Sequence, residues 1–553
     1  MTPFVAIIGR RGNTFLPRQE TRGPFTLVSD ARIDEGGSIL DAYETWSEAC
    51  ADHLNGDFSF AIWDAMRGRL FCARDFMGIR QLYYARTASA LIVASSIEAI
   101  IRHPEISRAL EESAIAKFLI GGTSEFPVDT FYPQIKRLPP AHTLTWDGQR
   151  LVLRRYWSLP LDGAIRYRDR RDYVAHFREV FDRAVADRLR GTGGAAAMMS
   201  GGLDSTAVSV TAQQAMATPL HAYTTSFAKM LHDEEASWAA RVARAGGMIH
   251  RVFARDDCAL FEDPSSYLRA EPFEDPLASV FLDLVRDAAQ CAPVMFAGQG
   301  GDVLFYTSHG HFPGLLRHGR LLQFGSDIAS YTWRNHHLPP LNLRAVVKKW
   351  FGAKPRRAVF PPWIREDVAR RFSLREQFES ESDIGELHPV RPEAHRALMH
   401  PFWQRLFETW EPSETGIPIR IVYPFFDRRL VELLFAFPPM PWFANKYLLR
   451  EGMKGRLPEE VRRRPKTPMA GDPLRIVMRR STMRLRGIIE AVPEMADLID
   501  TGKLLDYLEI DQGDGCRDLL AAFPFCLAKW WSARKAAKTS IGDAFVGSSA
   551  DRS

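Results

Sequence analysis

The spacing of apolar positions changes near residue 157, and that change divides the chain. Before it, short apolar runs recur: FVAIIG, FTLVSDARI, FSFAIWD, LFCARD, LYYA and ALIVASS. Turn-forming residues bound each run, a pattern that predicts packed β-strands. Leu138-Pro139-Pro140 marks a loop, and a last strand ends near Tyr156-Trp157. Further on, YVAHFREVFDRAVADRLR carries apolar residues at helical spacing with charges on the opposite face. AAAMMS then reads as a buried strand entering Gly-Gly and the helix STAVSVTAQQAM. LHAYTTSF is a second strand, EASWAARVARAG a second helix, and APVMFAGQGG a third strand ending in glycines. Such alternation predicts a doubly wound parallel α/β sheet. Beyond about residue 310 the texture is helical with proline-rich connections, and KTSIGDAFVGSSADRS reads as a loose tail. The expected organisation is a β-rich domain over 1–157, an α/β domain with a helical C-terminal part over 158–535, and a flexible tail over 536–553.

Composition narrows the class. The 553 residues exceed one ordinary domain, and 46% hydrophobic with 25% charged is the balance of a soluble globular protein. A net charge of +5, from 72 basic and 67 acidic residues, is too weak to imply nucleic acid. The run Arg462-Arg463-Arg464 reads as a solvated face. The six cysteines (Cys50, Cys72, Cys258, Cys291, Cys516, Cys526) form no CxxC pair, so neither a disulfide framework nor a zinc site is expected. The apolar run in MTPFVAIIGRRG is too short for a signal peptide, and no segment approaches the roughly 18 apolar residues of a membrane span. A cytoplasmic enzyme with reduced thiols is the expected class.

Two loops carry the chemistry. Ser200-Gly201-Gly202-Leu203-Asp204-Ser205 follows an apolar strand and opens a helix. Glycines there let the backbone approach phosphate, and the helix N-terminus holds the anion. Ser200 and Ser205 can donate hydroxyls, and Asp204 can ligate Mg²⁺. The plainer alternative is a tight turn with Ser or Asp as the helix cap. No GK(S/T) follows, so this is not a Walker loop. In the second loop, Ala297-Gly298-Gln299-Gly300-Gly301-Asp302, Asp302 falls at the carboxyl end of a strand, where ligands of open α/β sheets bind. Two aspartates at neighbouring strand ends could share magnesium pyrophosphate; the plainer reading makes Asp302 a helix cap.

With these motifs in place, nearly the whole chain resembles the asparagine synthetase superfamily of N-type ATP pyrophosphatases. SGGLDS and GQGGDVLF are similar to the family's SGG(L/V)DS and GEG(A/S)DE(L/V)F, YPFFDRRLVELLFAFPP to its PFLD segment, and KYLLREGMKGRLPEEVRRRPKTP to its K-x-x-LR…LP…R-x-K block. LNGDFSFAIWD, LFCARDFMGIRQLYY and IKRLPPAHTLTWDG resemble its amidotransferase-type half. The resemblance implies an Ntn-type first domain and an ATP-pyrophosphatase second domain. It gives the phosphates to Ser200, Gly201, Gly202, Asp204 and Ser205, adenine to Thr225 and the vicinity of Ala297-Gly298, and Mg²⁺ to Asp204 and Asp302. Lys466 would stabilise charge as an adenylate forms and collapses. Lys446 is read as a residue that pins a helix.

Two departures shape the expected reaction. The chain starts Met1-Thr2-Pro3, with no cysteine after Met1, and SDARID (Ser29 to Asp34) replaces the family's glutamine-holding NGE(I/V)YN. Thr2 as an N-terminal nucleophile is disfavoured, and the first domain is read as a scaffold that makes no ammonia. Gln299 stands where asparagine synthetases have Glu and β-lactam synthetases have Tyr, and an amide cannot serve as a general base. These features, with PPMPWFANKYLLREG, look most like the lasso-peptide macrolactam cyclases. That subtype implies adenylation of a precursor peptide's side-chain carboxylate, ring closure by its N-terminal amine, a leader peptidase partner, and a place in antibiotic biosynthesis. The alternatives are an asparagine synthetase-like or β-lactam synthetase-like ligase of a small-molecule carboxylate, and a non-catalytic homologue. The phosphate-and-metal set argues against the last.

Overall fold

The computed structural model describes the chain apart from residues 1–2, 10–11, 18, 232, 264–268, 307–311, 313–314, 317–318, 336–358, 381–385, 466–470, 511–514 and 548–553. The first apolar runs form two antiparallel sheets. One has the order Gly12–Leu16, Val5–Gly9, Ala90–Ala94, Tyr83–Arg86, Ile135–Arg137. The other runs Leu151–Arg155, His142–Trp146, Arg69–Arg74, Asn55–Asp64, Phe25–Glu35, Glu20–Arg22. Because side chains alternate across a strand, neighbouring residues serve different cores. Ala61, Leu70 and Cys72 meet Ala6, Ile8 and Val93 of the facing sheet. Phe60, Ile62 and Phe71 meet Leu40 and Tyr43 of the helix Ile39–Trp46. The central strand Asn55–Asp64 is therefore buried nearly end to end.

The second half is built on a parallel sheet in the order Ile249–Ala254, His221–Ser226, Ala196–Met198, Val294–Phe296, Arg420–Val422. Its inner strands are covered on both faces, which is why they read as unbroken apolar runs. From Ala196–Met198 the chain builds first to one side and then returns to build on the other. The switch point lies between Ala196–Met198 and Val294–Phe296, and it sets the two glycine loops side by side. Two strands of this sheet were not legible. Ile249–Ala254 is an edge strand with mostly exposed side chains, and Arg420–Val422 is only three residues long.

The halves are not independent. Phe523 and Trp530, in the last helix Gly515–Gly547, pack their rings on Phe118 and Phe131 of the first half, with centroids 5.3 and 5.4 Å apart. That helix runs on into the segment read as a tail. Buried and half-buried ion pairs also cross between the halves: Arg80 with Glu411 at 2.8 Å, Asp30 with Arg420, and Asp57 with Arg188 at 3.6 Å. Among the described residues no helix is long and apolar enough to cross a membrane. Cys50, Cys72, Cys258, Cys291 and Cys526 form no disulfide.

Candidate active site

The first loop is held by the neighbouring strand His221–Ser226. Met199 donates its N–H to the Tyr223 carbonyl at 2.8 Å, and the Thr224 hydroxyl donates to the Met199 carbonyl at 2.5 Å. The chain then turns through Gly201 at φ +75°, where a side chain would also strike the Glu235 carbonyl at 2.6 Å. Only glycine fits. The helix Leu203–Gln214 follows with Gly202 at its N-cap and no side-chain cap. The turn-with-cap alternative is thereby set aside, since neither Ser nor Asp satisfies the first amides of this helix. Its N-terminus faces a cavity of about 520 Å³. Ser200 and Ser205 stand beside it with their hydroxyl oxygens 3.1 Å apart, and the Ser205 hydroxyl accepts from the Ser200 N–H at 3.1 Å.

The second loop closes the cavity. A Cβ at Gly298 would meet the Ser205 Cα at 2.8 Å, and one at Gly301 would meet the Asp204 carboxyl carbon at 2.5 Å. These two glycines let the loops pack backbone to backbone and bring Asp302 opposite Asp204. The short helix Gly301–Leu304 takes Gly300, not Asp302, as its N-cap. The helix-cap reading of Asp302 is corrected accordingly. Gln299 lines the cavity between the loops. Ala297 does not: it is 1% exposed, and its N–H is bonded to the Val422 carbonyl at 3.0 Å. Its expected nucleotide contact is replaced by a supporting role at the strand end.

Thr225 also lines the cavity, and its buried hydroxyl has no hydrogen-bond partner among the described residues. A buried hydroxyl left this way is costly unless a ligand completes it. The apolar wall beside it comes from Tyr223, Phe227, Phe281 and Leu284. An apolar wall with only Phe281 exposed, an orphan hydroxyl and a helix N-terminus without a side-chain cap together fit a nucleoside and its phosphates.

Lys446 was misjudged. Its ammonium lies 2.5 Å from Asp204 Oδ2 and 2.6 Å from Asp302 Oδ1, inside the site. Asn445 and Lys446 reach there through successive left-handed conformations, φ 49° and 55°, which spacing alone does not announce. Glu235 was missed altogether. It lines the cavity, and burial together with Asp233 pushes its carboxyl up to about 7, against the opposing pull of Arg464. The arginine run is not a uniform solvated face. Arg462 is buried and paired with Glu459 at 2.8 Å, Arg464 lies 4.7 Å over the Trp238 ring at the cavity wall, and only Arg463 stands in solvent. Lys466 and Thr2 lie outside the described residues.

Among the described residues no group of three or more His, Cys, Asp or Glu could cage a metal. Asp204 and Asp302 present carboxylate oxygens from two sides, an arrangement that would suit Mg²⁺ completed by phosphate oxygens and water rather than an all-protein cage.

A glycine loop opening an uncapped helix at the switch point of a parallel sheet, with Asp204 in its first turn and Asp302 opposite, defines a nucleotide-dependent enzyme of the ATP-pyrophosphatase class. The family described as asparagine synthase matches residues 176–487, more than half the chain, and the glutamine amidotransferase domain matches residues 24–157. The chain belongs to the asparagine synthase family and is an ATP-dependent carbon–nitrogen ligase that forms AMP. Glutamine-hydrolyzing asparagine synthetase 3 of Bacillus subtilis (strain 168) is 27% identical over 489 residues, covering 83% of this chain and 74% of that protein. Glutamine-hydrolyzing asparagine synthetase 2 of the same organism is 25% identical over 473 residues, covering 80% and 59%. The amidase chyE of Penicillium rubens is 28% identical over 187 residues, covering 33% and 26%.

Proposed function

We propose that this enzyme activates a small-molecule carboxylate as its adenylate and converts it to an amide, in the manner of an asparagine synthetase, with an amine that its own first domain does not make. The observation that carries the ligase reading is the uncapped N-terminus of Leu203–Gln214, with Asp204 in its first turn and Asp302 opposite, on one cavity. Loop amides and the Ser200 and Ser205 hydroxyls hold the β- and γ-phosphates. Thr225 and the Phe281 wall hold the nucleoside. Asp204 and Asp302 would hold Mg²⁺, which supplies positive charge to the departing pyrophosphate. The substrate carboxylate oxygen attacks the α-phosphorus, and pyrophosphate leaves. The amine then attacks the acyl carbon, AMP leaves, and the nitrogen gives up one proton. Gln299 cannot accept that proton. An α-amine, with a pKa near 8, arrives partly neutral at neutral pH and needs less help.

The first domain supports an amine that does not come from glutamine. Asp30, in the SDARID segment, is paired with Arg420 of the ligase half, and Arg32 with Asp34 and with Asp57 at 3.0 Å. Burial alone would raise the Asp57 carboxyl, yet Arg32, Arg188 and Arg80 hold it below its ordinary value. Asp30 is thus engaged in holding the two halves together, and Arg32 and Asp34 are paired within the first domain. The relatives' names specify glutamine hydrolysis; this segment argues for a different amine source here.

The same segment and Gln299 favour a second reading, in which the carboxylate and the amine belong to one precursor peptide and the product is a macrolactam. Tethering the two groups raises their effective concentration and replaces part of what a base supplies. One experiment separates the readings. Enzyme and Mg·ATP are incubated with L-aspartate plus ammonium or glutamine, and in parallel with a candidate precursor peptide, and the products are weighed. Asparagine formed with ammonium but not with glutamine supports the first reading; peptide that loses one water with neither added supports the second. Asparagine formed as fast from glutamine as from ammonium would overturn the account of the first domain.

A further inference from the structure

Lys446 places one positive charge between two carboxylates that would otherwise repel each other. Its ammonium is within 2.6 Å of both Asp204 and Asp302, the pair that fits a divalent cation. The placement is built in. Left-handed backbone at two successive residues other than glycine is costly and persists only where the surroundings impose it. Here Arg450 donates to the Asn445 carbonyl at 2.8 Å, and the Leu448 N–H donates to the Trp442 carbonyl at 2.8 Å. Leu448 and Leu449 are fully buried, so the turn is anchored in the core while the lysine side chain reaches out of it. Gly301 lets Asp204 come close enough to share that ammonium.

We propose that Lys446 is an internal counter-cation that holds the metal position against a bare divalent ion and yields it only when nucleotide arrives. The proposal rests on the reading of Asp204 and Asp302 as metal-holding residues. With the ammonium in place, the pair carries one net negative charge, and an entering cation meets Lys446 at close range, with Arg450 also on the cavity wall. Magnesium sheds water reluctantly and is ordinarily bound by one or two carboxylates together with substrate phosphates. A triphosphate changes the balance by offering the ammonium new oxygen partners. Lysine is a compact charge on a flexible four-carbon stem, so its head can move to phosphate while its backbone stays fixed. Asp302 has 62% of its side chain exposed, so its half of the bridge opens at little cost. Metal and nucleotide then enter together, and the empty site does not trap ions on its own.

The test reads metal binding without turnover. Mn²⁺ is titrated by electron paramagnetic resonance into the nucleotide-free full-length protein, with and without α,β-methylene-ATP, for wild type, Lys446→Met, Lys446→Gln and Lys446→Arg. Melting curves accompany each titration, so that a variant that fails to fold is replaced by its partner. Wild type and Lys446→Arg are expected to bind Mn²⁺ only when the nucleotide analogue is present. Lys446→Met and Lys446→Gln are expected to bind it without nucleotide, at least about tenfold more tightly than wild type. Adding Asp204→Asn to Lys446→Met should abolish the gain. Wild type binding Mn²⁺ without nucleotide as tightly as Lys446→Met would overturn the counter-cation role while leaving the metal site standing. Mn²⁺ failing to bind any form even with the analogue would overturn the metal assignment itself.

Discussion

Asparagine at either Asp204 or Asp302 is expected to lower amide formation at least about 10³-fold, because on the proposed reading each change removes an oxygen that would hold the metal at the pyrophosphate. Neither carboxylate belongs to the hydrophobic core. Both pair with Lys446; Asp204 is largely buried and Asp302 largely exposed. The Asp302 pair is exposed enough to contribute little to stability, so Asp302→Asn should move the melting temperature by a few degrees at most. Steady-state rates across a magnesium titration, with a melt of each variant, check both halves of the expectation. A variant near the wild-type rate at limiting Mg²⁺ would remove that residue from the metal site. A large fall in melting temperature would recast it as structural.

Lys466→Ala is expected to cost roughly 10²–10³ in rate with little change in ATP affinity, if Lys466 stabilises charge chiefly in the transition state. Its position in RRRPK follows Arg464 and Pro465, and both of these line the cavity. Single-turnover rates paired with equilibrium binding of ATP separate the possibilities. Weaker ATP binding with an unchanged maximal rate would assign Lys466 to holding the ground state instead.

The parts of this protein legible from sequence are those whose chemistry and geometry are local. SGGLDS declares a strand, a turn that only glycine can make and a helix N-terminus, all within a few residues. The switch point follows from the order of strands and helices. Lys446 was not legible, because it reaches Asp204 by the return of a chain more than two hundred residues on and a left-handed turn at Asn445 and Lys446. The arginine run misled for a related reason. Three successive arginines at a helix end point in different directions, so one is buried in ion pairs, one lies over Trp238 and one stays in solvent. Ala297 erred by one residue in register: the strand hydrogen bond to Val422 is still being made there, and the loop opens only at Gly298. The segment SDARID stands out in the sequence by its charged residues alone. What sequence could not supply was Arg420 as the partner of Asp30, since that contact depends on how the two halves meet.

The central claim is that this chain cuts ATP between the α- and β-phosphates to activate a carboxylate. The most direct measurement follows the nucleotide and phosphate products during turnover. Enzyme is incubated with Mg·ATP, a panel of amino- and hydroxycarboxylates that includes L-aspartate, and hydroxylamine to capture any activated acyl group. AMP and pyrophosphate released in equal amounts with the hydroxamate are the expected result. ADP and orthophosphate as the products would contradict it.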